Sequence, residues 1–333
     1  MSAFSRAALA ACLACGCSGE TLTQGAAEPI RVQDTLLKEA AQFKPGRLPG
    51  RTALSAQQVA SGAKPASPNI TSLPAPTGVT FAGATGLGFT GRASKNAAAI
   101  GVQLARAGSG YWLVPVGAAD PLNNDELAFG VSLDFSPDSP VGSRDLLFVA
   151  FDGQGRAGTQ FDQPICIGPA IPDNLNACRP TIEPPALVVS LAWDAPVDLD
   201  LQVVTPGGKL VGPKHPSTAP SNGDGGIATP LPPDVGVLDR DSNANCVVDG
   251  RQREDLVFQE KPAKGHYLVY VNLFDSCGQA SVGFDLSFHA EHAGKKPGTY
   301  EVVQTYESSG ELMQIQENGG ADKGLYVTEF DSK

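Results

Sequence analysis

The run Leu127-Ala-Phe-Gly-Val-Ser-Leu-Asp-Phe135 sets Val131, Leu133 and Phe135 against Ser132 and Asp134. Apolar and polar side chains alternating with a period of two give a strand with one buried and one wet face. Similar short runs flank it, namely Ile100-Gly-Val-Gln-Leu104, Tyr111-Trp-Leu-Val-Pro-Val116 and Asp145-Leu-Leu-Phe-Val-Ala-Phe151, separated by Gly, Pro, Asn and Asp. Apolar strands punctuated by turn formers predict a β-sandwich over residues 75–180. After a Pro-rich joint, Cys178-Arg-Pro-Thr-Ile-Glu-Pro-Pro185, the signature returns in Leu187-Val-Val-Ser-Leu-Ala-Trp193, Tyr267-Leu-Val-Tyr-Val-Asn-Leu-Phe274 and Val282-Gly-Phe-Asp-Leu-Ser-Phe288. The expected fold is therefore all-β, with a second sandwich over residues 184–333. Proline removes amide donors and stiffens the chain, so the joint reads as an extended spacer.

The amino terminus reads differently. Met1 to Arg6 is a short basic start, and residues 7–17 are an apolar, small-residue stretch of signal-peptide type, too short to span a bilayer. It resembles a bacterial lipoprotein signal, cut before a cysteine that is then acylated. Cys17, after Gly16 and before Ser18, is preferred over Cys12, because a cut at Cys12 leaves an apolar core of only five residues after Arg6. An ordinary secretory signal is the alternative. From residue 18 to 74 the chain is rich in Ala, Gly, Pro, Ser and Gln and poor in aromatics, the composition of a disordered tether. Within it, Thr35 to Phe43 is amphipathic over a length that gives only a transient turn of helix.

Seven cysteines minus Cys12, Cys15 and Cys17 leave Cys166, Cys178, Cys246 and Cys277. An even number in an exported chain points to disulfides. Proximity in sequence favours Cys166 with Cys178 and Cys246 with Cys277 among three connectivities, the shorter loop contributing about 3 kcal/mol in the chain-entropy model. Zinc is the competing reading, but these four cysteines show no CxxC spacing and the histidines no cluster.

The net charge of −11 is unevenly spread, since residues 184–333 hold 21 Asp and Glu against 11 Lys and Arg. Such a field disfavours nucleic acid and anionic surfaces and favours cations. Within this half, Asp198-Leu-Asp200-Leu-Gln202 places Asp198, Asp200 and Gln202 on one strand face and Leu199, Leu201 and Val203 on the other. Neighbouring carboxylates on one face repel unless a cation or donors lie between them. About forty residues on, Asp239-Arg-Asp241-Ser-Asn243 begins with EF-hand spacing, but Ala244 replaces the required Gly and Gly250 the bidentate Glu. Alternating carboxylates and amides suit a hard cation such as Ca2+. Magnesium demands stricter octahedral geometry, and a transition metal would want imidazole or thiolate. Turn-capping carboxylates without any metal are the plainer alternative.

Two resemblances follow from these residues. Phe148 to Gly158 resembles the late strands and hairpin of immunoglobulin-like modules. Leu191 to Gly208, Gly236 to Cys246 with Arg253-Glu254-Asp255, and Pro262 to Asn272 together resemble the YfaP-type β-sandwich module of bacterial exported proteins. That likeness implies an extracytoplasmic binding or assembly role and, matched position by position, the polar residues Asp198, Asp200, Asp239, Asp241, Asn243 and Glu254. The added Cys246 and Cys277 and the insertion from Lys214 to Pro233 depart from the pattern.

No nucleophile elbow, zinc-protease helix motif or phosphate loop occurs. Asp198 and Asp200, as neighbours on one strand, are poorly placed to flank a glycosidic bond. His289-Ala-Glu-His292 reads as a solvated turn, and His215 and His266 as solvent-facing singles. The expectation is a non-catalytic envelope lipoprotein, anchored in the bacterial outer membrane or at the cell surface, with a calcium-binding sandwich and a carbohydrate, peptide or envelope-protein partner. The alternatives are a structural envelope component and a secreted hydrolase or accessory domain of an enzyme complex.

Overall fold

The computed structural model of the chain describes residues 25–33, 41–52, 55–63, 67–74, 78–121, 123–219 and 231–333. The signal segment with Cys17, and most of the amphipathic stretch at 35–43, lie outside the described residues. Strands dominate, and the helical segments among the described residues are Ala56–Ala60 and two 3-10 turns, Ala244–Cys246 and Gln314–Gln316. None is long and apolar enough to cross a membrane.

The alternating run that opened the sequence lies in the strand Asn123–Phe135. This strand pairs with Ile30–Gln33 on one side and with Leu87–Ser94 on the other, the latter followed by Ile70–Ser72. A second, six-stranded sheet runs in the order Gln42–Pro45, Gly110–Pro115, Ala97–Leu104, Gly142–Asp152, Ala157–Gly168 and Val79–Phe81, the last strand parallel to its neighbour. Phe89 and Leu133 from the first sheet meet Ile100 and Phe148 from the second in one core, with the Phe89 and Phe148 rings 5.5 Å apart.

Strands within residues 18–74 correct the expectation of a disordered tether. Ile30–Gln33, Gln42–Pro45 and Ile70–Ser72 are strands of this sandwich, and Ile30, Leu48, Ile70 and Leu73 are buried. Few as its apolar residues are, they fall where the sheets need edge partners, and average composition hides that placement. The joint is also not an extended spacer. Residues 173–182 fold into successive turns, with Asp173 accepting the amides of Leu175 and Ala177 and the Arg179 carbonyl accepting that of Ile182. The Cys166–Cys178 disulfide ties these turns to the end of Ala157–Gly168.

The distal sandwich pairs a five-stranded sheet with a four-stranded one. The first runs Gly236–Leu238, Arg253–Phe258, Leu187–Trp193, Ser281–Ala293, Tyr300–Met313. The second runs Leu210–Val211, Asp198–Val204, Gly265–Asp275, Leu325–Ser332. Leu191, Leu256 and Leu286 from one sheet pack on Leu199, Leu201, Val269 and Val271 from the other. Phe258 and Tyr267 meet edge to face across the layers at 6.1 Å. Turn residues of the joint also bond to this half, Asn174 donating to Gln259 and Asn176 to the Tyr300 carbonyl.

Ile30→Ala should therefore destabilise the chain by about 2–4 kcal/mol in urea denaturation, as expected for truncating a buried aliphatic side chain. A segment outside the fold would show a change near zero.

Candidate metal centre

The strand Asp198–Val204 lies between a long neighbour and a very short one. Leu199, Leu201 and Val203 enter the core, so alternation sends Asp198, Asp200 and Gln202 to the other face, where loops cover all three. On its long side, Asp200 stands opposite Asn272 and Gln202 opposite Tyr270. On its short side, Leu210–Val211 pairs only with Val203 and Val204. The Leu201 amide is instead satisfied by Glu254 of the facing sheet, whose Oε2 accepts it at 2.7 Å while Oε1 accepts the Ser242 amide at 3.2 Å. A buried carboxylate thus takes the place of a missing strand neighbour.

Three of the six carboxylates and amides singled out in the sequence come together. Oxygens of Asp198, Asp200 and Asp241 all lie within 4.8 Å of one another, the first two residues buried and the third exposed. The other three are engaged elsewhere. Asp239 accepts the Asp255 amide at 2.9 Å and the Arg240 guanidinium at 2.8 Å, so both its oxygens are used. Asn243, fully buried, donates to the Val197 carbonyl at 3.0 Å and accepts the Asp249 amide at 3.1 Å. Glu254, as above, holds two backbone amides. These residues shape the loop that carries Asp241.

The loop is held by unusual backbone. Asn243, Asn245 and Cys246 adopt φ of 60°, 54° and 63°, the left-handed region that Asn tolerates and Cys seldom occupies. The Cys246–Cys277 disulfide, with Cα atoms 5.6 Å apart, fixes the loop to the end of the strand Gly265–Asp275. The Asn245 amide then reaches Asp198 Oδ2 at 2.7 Å.

Burial raises the Asp198 carboxyl to about 6 against the Asn245 hydrogen bond, helped by the charges of Asp241 and Asp275. Burial likewise raises Asp200 to about 7 despite the Asn272 amide, with Asp198 and Asp241 adding repulsion. Glu254 is pushed well above the ordinary carboxylate range by burial, and the charges of Asp200 and Asp241 add to it. Asp255, on the opposite face of the same strand, is raised by burial to about 7. Side chains the sequence did not single out complete the surroundings. Asn272 Nδ2 donates to Asp200 Oδ2 at 3.2 Å, while its own buried Oδ1 has no partner among the described residues. Lys214 lies close enough to lower the Asp200 carboxyl slightly. Register would have found Asn272, since it pairs with Asp200 directly.

The donor set consists of hard oxygens, namely three carboxylates and an orphaned amide carbonyl beside them. That set fits an oxygen-seeking cation such as calcium and not a thiolate- or imidazole-seeking metal. The nearby grouping of Cys246, Asp275 and Cys277 is no metal set, because both sulfurs are in the disulfide. His289 departs from the reading of a solvated turn, while His266 is exposed as expected but does not stand alone. His289 lies within the strand Ser281–Ala293, half-buried and bonded to Ser287 at 2.9 Å, and His266 sits between Glu329 and Asp331 at 3.3 and 3.0 Å. Compared with known proteins, the chain matches no family model and no curated protein.

The raised carboxyls give a signed prediction. A group whose folded pKa exceeds its unfolded value binds a proton in the native state that the unfolded chain has already lost, so stability falls as pH rises through that window. With Asp198 at about 6 and Asp200 and Asp255 at about 7, the chain in chelator-treated buffer should melt at a higher temperature at pH 5 than at pH 8. Calorimetric scans across that range check the sign.

Proposed function

We propose that the distal sandwich is a calcium-binding module of an exported, lipid-anchored, non-catalytic envelope protein. The observation that carries this reading is the meeting of Asp198, Asp200 and Asp241 on one pocket floor, where burial and mutual repulsion leave their charge unbalanced. In this reading Asp198, Asp200 and Asp241 hold the ion, with Asn272 Oδ1 as a further oxygen. Calcium is favoured over magnesium because its variable coordination number suits a site built half from a rigid strand and half from a loop.

Export is supported by the two disulfides, which form and persist in oxidising compartments, and by the signal-like residues 1–17. Acylation at Cys17 would then anchor the chain to the bacterial outer membrane or cell surface. The resemblance of the distal half to YfaP-type modules supports a binding or assembly role. In the proposed role the ion neutralises the floor and locks the loop 239–246 against the strand, so the sandwich presents one fixed surface to an envelope or carbohydrate partner.

Calcium should raise the melting temperature of the chain through linkage, stabilising it by about 2.7 kcal/mol at a hundredfold excess over Kd. Asp200→Asn and Asp241→Asn should each remove the response, whereas Asp239→Asn should retain it, because that carboxylate is committed to Arg240 and a backbone amide. Isothermal calorimetry against chelator-treated protein measures both. A calcium response undiminished in Asp200→Asn would refute the assignment.

A further inference from the structure

The three carboxylates form one end of a cavity of about 490 Å³, within the roughly 300–1,000 Å³ range of small-molecule sites. A cation alone needs only a small part of that space. Phe274, Leu210 and Pro213 give the cavity an apolar wall, His215 and Asn245 add hydrogen-bonding groups, and Asp322 adds a fourth carboxylate, which accepts the Lys323 backbone amide. Lys214 and Lys323 also line it, the Lys323 ammonium lying 5.3 Å from the centre of the Tyr270 ring, and neither has an ion-pair partner among the described residues.

The rim that carries these lysines is held in place. Lys214 sits in a turn closed by two backbone hydrogen bonds between Gly212 and His215, at 3.2 and 2.9 Å. Lys323 precedes Gly324, whose amide donates to Gln202 Oε1 at 3.1 Å, so the second rim turn is tied to the strand bearing Asp198 and Asp200. Gly320, at φ 70°, lets the two turns close together, since a Cβ there would come within 2.9 Å of Phe274 and 3.1 Å of Lys214 Nζ. Lys214 Nζ lies 5.9 Å from the centre of the Phe274 ring. Ammonium, aromatic face and carboxylate floor therefore share one preformed cavity.

These features select the ligand by charge and shape. Oxygen donors are needed to complete the shell of a hard cation, negative charge to satisfy the two ammoniums, and an apolar ring face to cover Phe274. We infer that this cavity binds a carboxylate-bearing saccharide, its acid group and hydroxyls shared between the cation on the Asp198, Asp200 and Asp241 floor and the ammoniums of Lys214 and Lys323. The inference rests on the calcium reading of that floor. A neutral sugar meets the two ammoniums through hydroxyls alone, and inorganic phosphate leaves the aromatic wall bare.

The test is isothermal calorimetry on the exported chain in excess calcium, titrated with digalacturonate and, separately, with lactose and inorganic phosphate. Digalacturonate should bind, the other two should bind at least tenfold more weakly, and chelator should abolish binding. Lys214→Gln combined with Lys323→Gln should weaken digalacturonate at least tenfold while calcium binding persists. Calcium binding without digalacturonate binding overturns the ligand class and leaves the metal reading intact. Equal binding of lactose or phosphate, insensitivity to the lysine changes, or binding that persists in chelator overturns it too. Absence of calcium binding removes both readings.

Discussion

Repulsion between carboxylates that the fold forces onto one strand face governs the distal half of this protein. Leu199, Leu201 and Val203 must enter the core for the two sheets to pack, and alternation then commits Asp198, Asp200 and Gln202 to the opposite face. Loops bury that face instead of leaving it in water. Taking carboxylates out of water disfavours their charged form, and each neighbour's charge adds to the cost. Asn245 and Asn272 each offset part of it with one hydrogen bond. Such an arrangement is unfavourable as a stabilising device, and under the proposed reading a cation would turn its electrostatics from cost to gain.

The same constraint explains the loop between Leu238 and Arg253. It has to bring Asp241 to the strand without a regular element to carry it. Asn243 does so by bonding to the Val197 carbonyl and the Asp249 amide from a fully buried position. Glu254 adds a second clamp by joining the loop at Ser242 to the strand at Leu201. The disulfide at Cys246 removes the remaining freedom, holding three left-handed residues that an untethered loop would relax. Asp239 closes the base of the loop through Arg240 and Asp255.

This division of labour shows what was legible in the sequence. Period-two alternation marked the strands around Phe135 and Leu199, because a half-buried strand must alternate. It missed Ile30–Gln33 and Gln42–Pro45, whose pairing depends on which sheet edges are vacant and not on their own composition. The Asp-x-Asp spacings marked the acidic stretches but could not separate carboxylates with oxygens to spare from those already accepting backbone amides. Asp241 and Asp239 are equivalent in spacing, yet Asp239 is committed to Arg240 and a backbone amide while Asp241 meets Asp198 and Asp200. Asn272, Lys214 and Lys323 were invisible for another reason: they arrive through strand register and turn geometry from segments far apart in the chain.

Position along the fold also accounts for the uneven charge. The distal half carries most of the acidic excess, yet its lysines are not spread evenly against it. Arg240 and Arg253 are drawn into the structure, the first bonded to Asp239 and the second donating to Ser190. Lys214 and Lys323 are left beside aromatic rings, at Phe274 and Tyr270, where each ammonium gains a weak attraction and keeps its charge available. Placing free positive charge within reach of an acidic floor would be wasteful if that floor only needed neutralising, because a direct lysine–aspartate pair would do so without any ion. Carboxylates, ammoniums and the Phe274 ring line one cavity, and the proposed ligand matches them with one anionic end and one neutral, ring-shaped body.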